Sequence, residues 1–129
     1  MKLVDIERNA ILRLTLNFSV LLVEYCEELE GLRKFVVSKQ LLRSGTSIGA
    51  NAMESQNGES KRDFIHKMKI AAKEAAETQY WLLICERSGP YPSPASLQAA
   101  LEEINRILNS IIATAKRKNP LSYFLTLFM

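Results

Sequence analysis

The sequence predicts an all-α protein, an antiparallel up-down four-helix bundle. Three observations carry that expectation. Four long segments repeat apolar side chains at alternating steps of three and four, the signature of one buried helix face. The segments are divided by strong helix breakers: Gly31, Asn57-Gly58 and Ser88-Gly89-Pro90. No stretch shows the two-residue alternation of a half-buried strand, and no tract is of low complexity. Short connections between long amphipathic helices favour antiparallel neighbours.

The first helix is expected from about Asp5 to Leu29, with Ile11, Leu14, Phe18, Leu21 and Tyr25 as its core stripe and Gly31 as a left-handed stop. The second begins somewhere in Arg33–Lys39 and ends before Asn57-Gly58, with an apolar stripe of Leu41, Gly45, Ile48 and Ala52. The third starts at Ser60, an N-cap with Asp63 three residues on, and stops at Ser88-Gly89-Pro90. Its stripe is Phe64, Met68, Ala71, Ala75, Thr78, Leu82 and Cys85. Pro90-Tyr91-Pro92 cannot continue a helix, and Ser93-Pro94 reads as an N-cap followed by proline at the first helical position. The last helix buries Leu97, Leu101, Ile104, Leu108, Ile111 and Ala115 and ends near Lys118. Residues 1–119 thus form the bundle and residues 120–129 an apolar C-terminal tail.

A chain of 129 residues makes one domain with a real core. Cys26 and Cys85 both fall on apolar helix faces, which suits buried free thiols in a reducing compartment. Two cysteines and one histidine are too few for an ordinary zinc site, so no metal or other cofactor is expected. Asp5 and Glu7 stand where a signal peptide needs an apolar run. No segment approaches the ~20 apolar residues of a membrane span. The expected location is cytoplasmic, with no membrane partner.

Net charge is only +3, but its distribution is uneven. Residues 1–30 carry −3, residues 31–73 carry +6, residues 74–115 carry −3, and Lys116, Arg117 and Lys118 restore +3. The third helix concentrates this pattern. Opposite its core stripe lie Arg62, His66, Lys69, Lys73, Tyr80 and Arg87, at ~100° per residue. Arg62, Lys69, Lys73 and Arg87 are candidate phosphate contacts, with Tyr80 as a stacking platform. His66 reads as an exposed member of the ridge. A solvated helix face is the plain alternative. Nothing on the ridge could read base edges, so binding would be dominated by the phosphate backbone.

The same helix is apolar over a wide arc. Ile65, Ala72, Ala76 and Leu83 widen the stripe on one side, while Ile70, Trp81 and Ile84 lie on the other beside Glu74 and Glu77. The wide arc fits either a broad core face or an oligomer interface at Ile70, Trp81 and Ile84. On the second helix, Arg43, Ser47, Asn51 and Glu54 share a stripe away from the apolar one. With Glu74 and Glu77 they form a candidate structural polar network between helices or subunits; a solvated face is again the alternative. No nucleophile–base constellation is found, so no enzyme is expected.

These residues also carry a family resemblance. Arg43-Ser44-Gly45-Thr46-Ser47-Ile48-Gly49-Ala50-Asn51 with Glu54, then Asp63-Phe64-Ile65, Lys67-Met68, Ile70-Ala71, Lys73-Glu74-Ala75, Glu77-Thr78 and Tyr80-Trp81-Leu82, resemble the bacterial four-helix bundle proteins of ribosomal RNA intervening sequences. The accessory proteins of diversity-generating retroelements are similar. The resemblance is close over about Leu41–Leu83. It implies a ring-shaped homopentamer and, from the retroelement relatives, RNA or DNA and a reverse transcriptase as partners. It carries over no catalytic residue. Gly45 stands where the family usually has alanine, and the tail Leu121–Met129 is more apolar than is usual. Such a tail is expected to fold back across the bundle or dock on a neighbouring subunit, with a frayed terminus as the plain alternative. The functional expectation is a non-enzymatic oligomeric bundle presenting a basic surface to nucleic acid or a nucleoprotein partner. The alternative is a protein–protein adaptor with no nucleic-acid role.

Overall fold

The computed structural model describes residues 3–117, and side chains from Ile6 onward. The helices are α1 (Leu3–Arg8), α2 (Ala10–Gly31), α3 (Phe35–Ser55), α4 (Lys61–Arg87) and α5 (Ala95–Arg117), and the described residues contain no strand.

Cross-helix contacts fix the directions. Asn9 at the start of α2 donates from Nδ2 to Gln56 Oε1 beyond the end of α3 (3.3 Å), while Ser38 near the start of α3 donates to the carbonyl of Cys26 late in α2 (3.1 Å). Those two helices are therefore antiparallel. Arg43 meets Glu77, and Lys67 meets Glu54 at 3.5 Å, so α3 and α4 are antiparallel too. Gln79, Leu83 and Glu86 late in α4 face Ala95, Gln98 and Glu102 early in α5. The result is an up-down bundle of four long helices, with α1 as a short preface.

The core follows the heptad-like spacing closely on the last three helices. Leu41, Gly45, Ile48 and Ala52 on α3, and the whole predicted stripes of α4 and α5, are buried. Phe18 and Phe64 are each 1% exposed, and burial of a side chain of that size stabilises by ~1.5–3 kcal/mol. Both cysteines are free and buried, as their helix faces indicate. Ser60 accepts from the Asp63 amide at 3.1 Å, and the Ser93 hydroxyl accepts from the Ala95 amide at 3.3 Å. The turn before α5 is tied down by Tyr25, whose hydroxyl donates to the Pro92 carbonyl at 2.7 Å.

The first predicted helix needs three corrections. It is broken at Asn9, whose extended backbone ends α1 and whose side chain accepts from the Leu12 amide at 3.4 Å to cap α2. Its stripe is turned relative to the expectation: Leu14 is only half-buried and Leu21 is 44% exposed, while Leu12, Thr15, Leu22, Cys26 and Leu29 join Ile11, Phe18 and Tyr25 inside. So many positions of α2 are apolar that spacing alone did not select a face. Gly31 is not the left-handed stop. It stays helical, and Arg33 takes the positive φ, 64°, while the Lys34 amide donates to the Leu29 carbonyl at 2.8 Å.

The tail, residues 120–129, lies outside the described residues.

Candidate functional site

The α4 ridge exists as a surface. Arg62, His66, Lys69, Lys73, Tyr80 and Arg87 are all exposed, and Tyr80 is 64% exposed. They fall on one line because the helical turn brings every third or fourth residue to the same side. The side facing away holds Phe64, Met68, Ala71, Ala75, Thr78, Leu82 and Cys85 in the core, which fixes the rotation of the helix about its axis. Arg62, His66 and Lys69, with Lys61 and Ile65, line an open surface groove of about 500 Å³ at the start of α4. At the other end Tyr80 and Arg87 border a second groove with Leu83, Ile84 and Ser88.

Packing adds a cation that spacing on one helix could not reveal. The end of α5 returns to the start of α4, bringing Lys116 to Lys69. The Lys69 ammonium pushes the Lys116 pKa below its ordinary value, mainly through their direct contact. Two like charges held together make this end of the ridge favourable for an anion. None of Arg62, Lys69, Lys73 and Arg87 is ion-paired with another described residue.

The six residues of the candidate polar network resolve into separate pieces. Arg43 reaches from α3 to two carboxylates of α4: it hydrogen-bonds Glu77, and its Nη1 stands 3.5 Å from Glu74 Oε2. The Glu77 bond raises the Arg43 pKa, and the Arg43 bond lowers that of Glu77. Trp81 Nε1 also donates to Glu77 Oε2, at 3.2 Å, and lowers that pKa further. The Arg43 side chain is 50% exposed, so this is a surface cluster in the single chain and not a buried one. Glu74 Oε2 is shielded from solvent and accepts no hydrogen bond from the described residues. Ser47 donates to the Arg43 carbonyl at 2.7 Å, and Asn51 to the Ser47 carbonyl at 2.8 Å, so both serve the backbone of α3. Glu54 pairs with Lys67 at 3.5 Å. A buried polar contact between α3 and α4 lies elsewhere: Thr78 Oγ1 is 2.9 Å from Ser44 Oγ, on the core side. Both are small hydroxyls inside apolar stripes, and that was the available signal.

Of the candidate interface residues, Ile70, Trp81 and Ile84 are half-buried, with Trp81 packed against the core. The larger apolar exposure is on α2 and α3. Leu16 is 44% exposed, Val20 54%, Val23 39% and Met53 38%. Leu16, Val20 and Val23 are spaced by four and three, one stripe of α2 beside α3.

The comparisons with known proteins agree with this architecture. No curated protein matches. A crystal structure from Bacteroides thetaiotaomicron VPI-5482, described as a protein with unknown function from the S23 ribosomal protein family, is similar. It superposes with a TM-score of 0.77 at 44% identity, covering 81% of this chain and 99% of that one. The profile of the 23S rRNA-intervening sequence protein family matches residues 7–113, which span α2 to α4 and nearly all of α5. The chain belongs to the 23S rRNA-intervening sequence protein family.

Proposed function

We propose that the protein is a non-enzymatic, self-assembling helical bundle that presents a basic surface to nucleic acid or to a nucleoprotein partner. The observation that carries this reading is the cation line of α4, exposed along its length and reinforced at one end by Lys116. Phosphate oxygens would be held by Arg62, Lys69, Lys73, Arg87 and Lys116, with Tyr80 offering a face for a base. Assembly into a ring, as the family resemblance implies, would repeat the line around the oligomer. The reverse transcriptase implied by the same resemblance would meet the same face. The half-buried Ile70, Trp81 and Ile84, beside the Arg43–Glu77 cluster, are the proposed subunit contact.

The exposed apolar stripe of α2 favours a second reading, an adaptor whose partners are proteins and whose charges only solubilise it.

Replacing Lys69, Lys73 and Arg87 together with glutamate separates the two. The nucleic-acid reading predicts that binding to mixed-sequence RNA or DNA is abolished while the helical signal and the oligomer persist. Absence of binding by the unaltered protein at low salt would favour the adaptor. Light scattering at micromolar concentration should give several times 14.6 kDa; a stable monomer would overturn self-assembly.

A further inference from the structure

The outer side of the α2–α3 seam is a groove of about 190 Å³. Ile6, Leu16, Ser19, Thr46, Ala50 and Met53 border it, and no charged residue is among its described lining residues. The two grooves on the α4 ridge are different, each lined with arginine or lysine. Gly49 lets the seam close tightly at the base, since a Cβ there would stand 3.1 Å from Thr15. The rim is apolar and open, with Leu16 and Met53 both more than a third exposed.

Position in the bundle points to an occupant. The groove lies toward the end where α2 begins and α3 finishes, the end marked by the Asn9–Gln56 contact. Lys116 meets Lys69 near the start of α4, so α5 finishes at that end as well. The last described residue of α5, Arg117, is therefore at the end of the bundle toward which the groove lies. Residues 118–129 lie outside the described residues, but their sequence is informative. From Asn119 to Met129 there is no charged side chain, and seven of the last nine residues are apolar or aromatic. An uncharged apolar segment and an uncharged apolar groove are matched in chemistry. Twelve residues reach up to roughly 40 Å at ~3.3–3.6 Å each. That is enough to pass a helix ~10 Å across and enter the groove. The groove accepts one or two large side chains, whereas a stable contact between copies needs about 800 Å² from each partner.

We propose that the α2–α3 groove is the docking site of the chain's own C-terminal segment, residues 119–129. Leucine or phenylalanine side chains of the segment would fill the space between Leu16, Ala50 and Met53. The segment would thereby cover apolar surface of α2 and hide its own.

The test uses the full chain. Ala50 is exposed, so Ala50→Arg places a charge in the groove without disturbing the core. Cleavage by chymotrypsin after Tyr123 or Phe124 should be at least ~10-fold faster in A50R than in the unaltered protein, because cleavage tracks the undocked population. Second, Met53→Cys is combined in turn with Phe124→Cys, Leu125→Cys or Leu127→Cys and oxidised in a mixture of ¹⁴N- and ¹⁵N-labelled protein. Docking predicts a disulfide within one chain in at least one combination. Equal cleavage rates with no cross-link would overturn the proposal. Cross-links joining heavy to light chains would assign the groove to a neighbour's tail and overturn it too. Loss of the oligomer in A50R with unchanged tail cleavage would assign the groove to a second copy, and is equally contrary.

Discussion

Gly45 of α3 lies against Leu22 of α2 so closely that a Cβ at Gly45 would stand 2.1 Å from the Leu22 Cδ2 methyl. Both residues are buried, and Phe18 closes the other side at 3.5 Å. A leucine methyl occupies the space that an alanine Cβ would take.

Gly45→Ala should therefore destabilise the protein, although alanine is the better helix former by ~1 kcal/mol. Overpacking a fitted core typically costs 1–3 kcal/mol. Urea unfolding of G45A should show a net loss of about 1 kcal/mol. In a Leu22→Ala background the same change should turn stabilising, because the clashing methyl is gone. Additivity of the two changes would contradict the contact.

The positive φ at Arg33 predicts the opposite response to a substitution. A non-glycine residue in the left-handed region costs ~1–2 kcal/mol, and glycine loses ~0.5–1 kcal/mol more than other residues on folding. Arg33→Gly should stabilise by roughly 0.5–1 kcal/mol in chemical denaturation. Gly31→Ala should stabilise as well, since Gly31 is helical and nothing lies within 4 Å of a Cβ there.

Where the sequence was legible, physical reasons made it so. On α5, polar residues flank a single apolar stripe, and on α4 the three-four spacing from Phe64 to Cys85 marks the centre of a wider apolar arc, so spacing identifies the buried face on both. Ser60 and Asp63 mark a helix start that the structure reproduces. On α2, apolar residues occur at core and surface positions alike, Leu16, Val20 and Val23 among the latter, and periodicity no longer selects one face. Asn9 was hidden for another reason: its side chain divides its hydrogen bonds between Leu12 and Gln56, and the second partner is 47 residues away. The ridge of α4 could be read from one helix. Lys116 could not, because only antiparallel packing of α5 brings it to Lys69. The Arg43 pairing with Glu74 and Glu77 was legible as complementary charge on adjacent helices, but not its half-exposed setting.

The Arg43–Glu77 pair should give acid-sensitive stability. Its folded-state pKa is lowered, so Glu77 contributes above its ordinary value of 4.5, and that contribution disappears as pH falls through the lowered folded value. Glu77→Gln should flatten the melting temperature profile on the acid side and reduce its salt dependence, since Arg43 is half exposed. An unchanged acid limb in E77Q would show that the pair does not contribute.

Burial of Cys26 predicts an alkaline limb. Its thiol is pushed from 9.0 up to about 11, mainly by desolvation. The associated stability is complete below pH 9.0 and is lost as pH rises through about 11. Burial raises Cys85 and Tyr25 in the same direction. Cys26→Ala should soften the fall in melting temperature over that interval. At neutral pH both thiols should react with a thiol reagent only as fast as the protein opens; rapid reaction in the native state would contradict their burial.

The most direct test of the basic-surface proposal is the salt dependence of nucleic-acid affinity. Binding of mixed-sequence RNA and DNA by the full chain should weaken linearly in a log–log plot, with a slope of about −0.7 to −0.9 per phosphate contacted. Lys69→Glu with Lys116→Glu should lower affinity for every sequence and make the slope shallower by roughly 1 to 2. Binding that is absent at low salt, or that keeps both its affinity and its slope in the double variant, would contradict a phosphate-binding role for the α4–α5 end of the ridge.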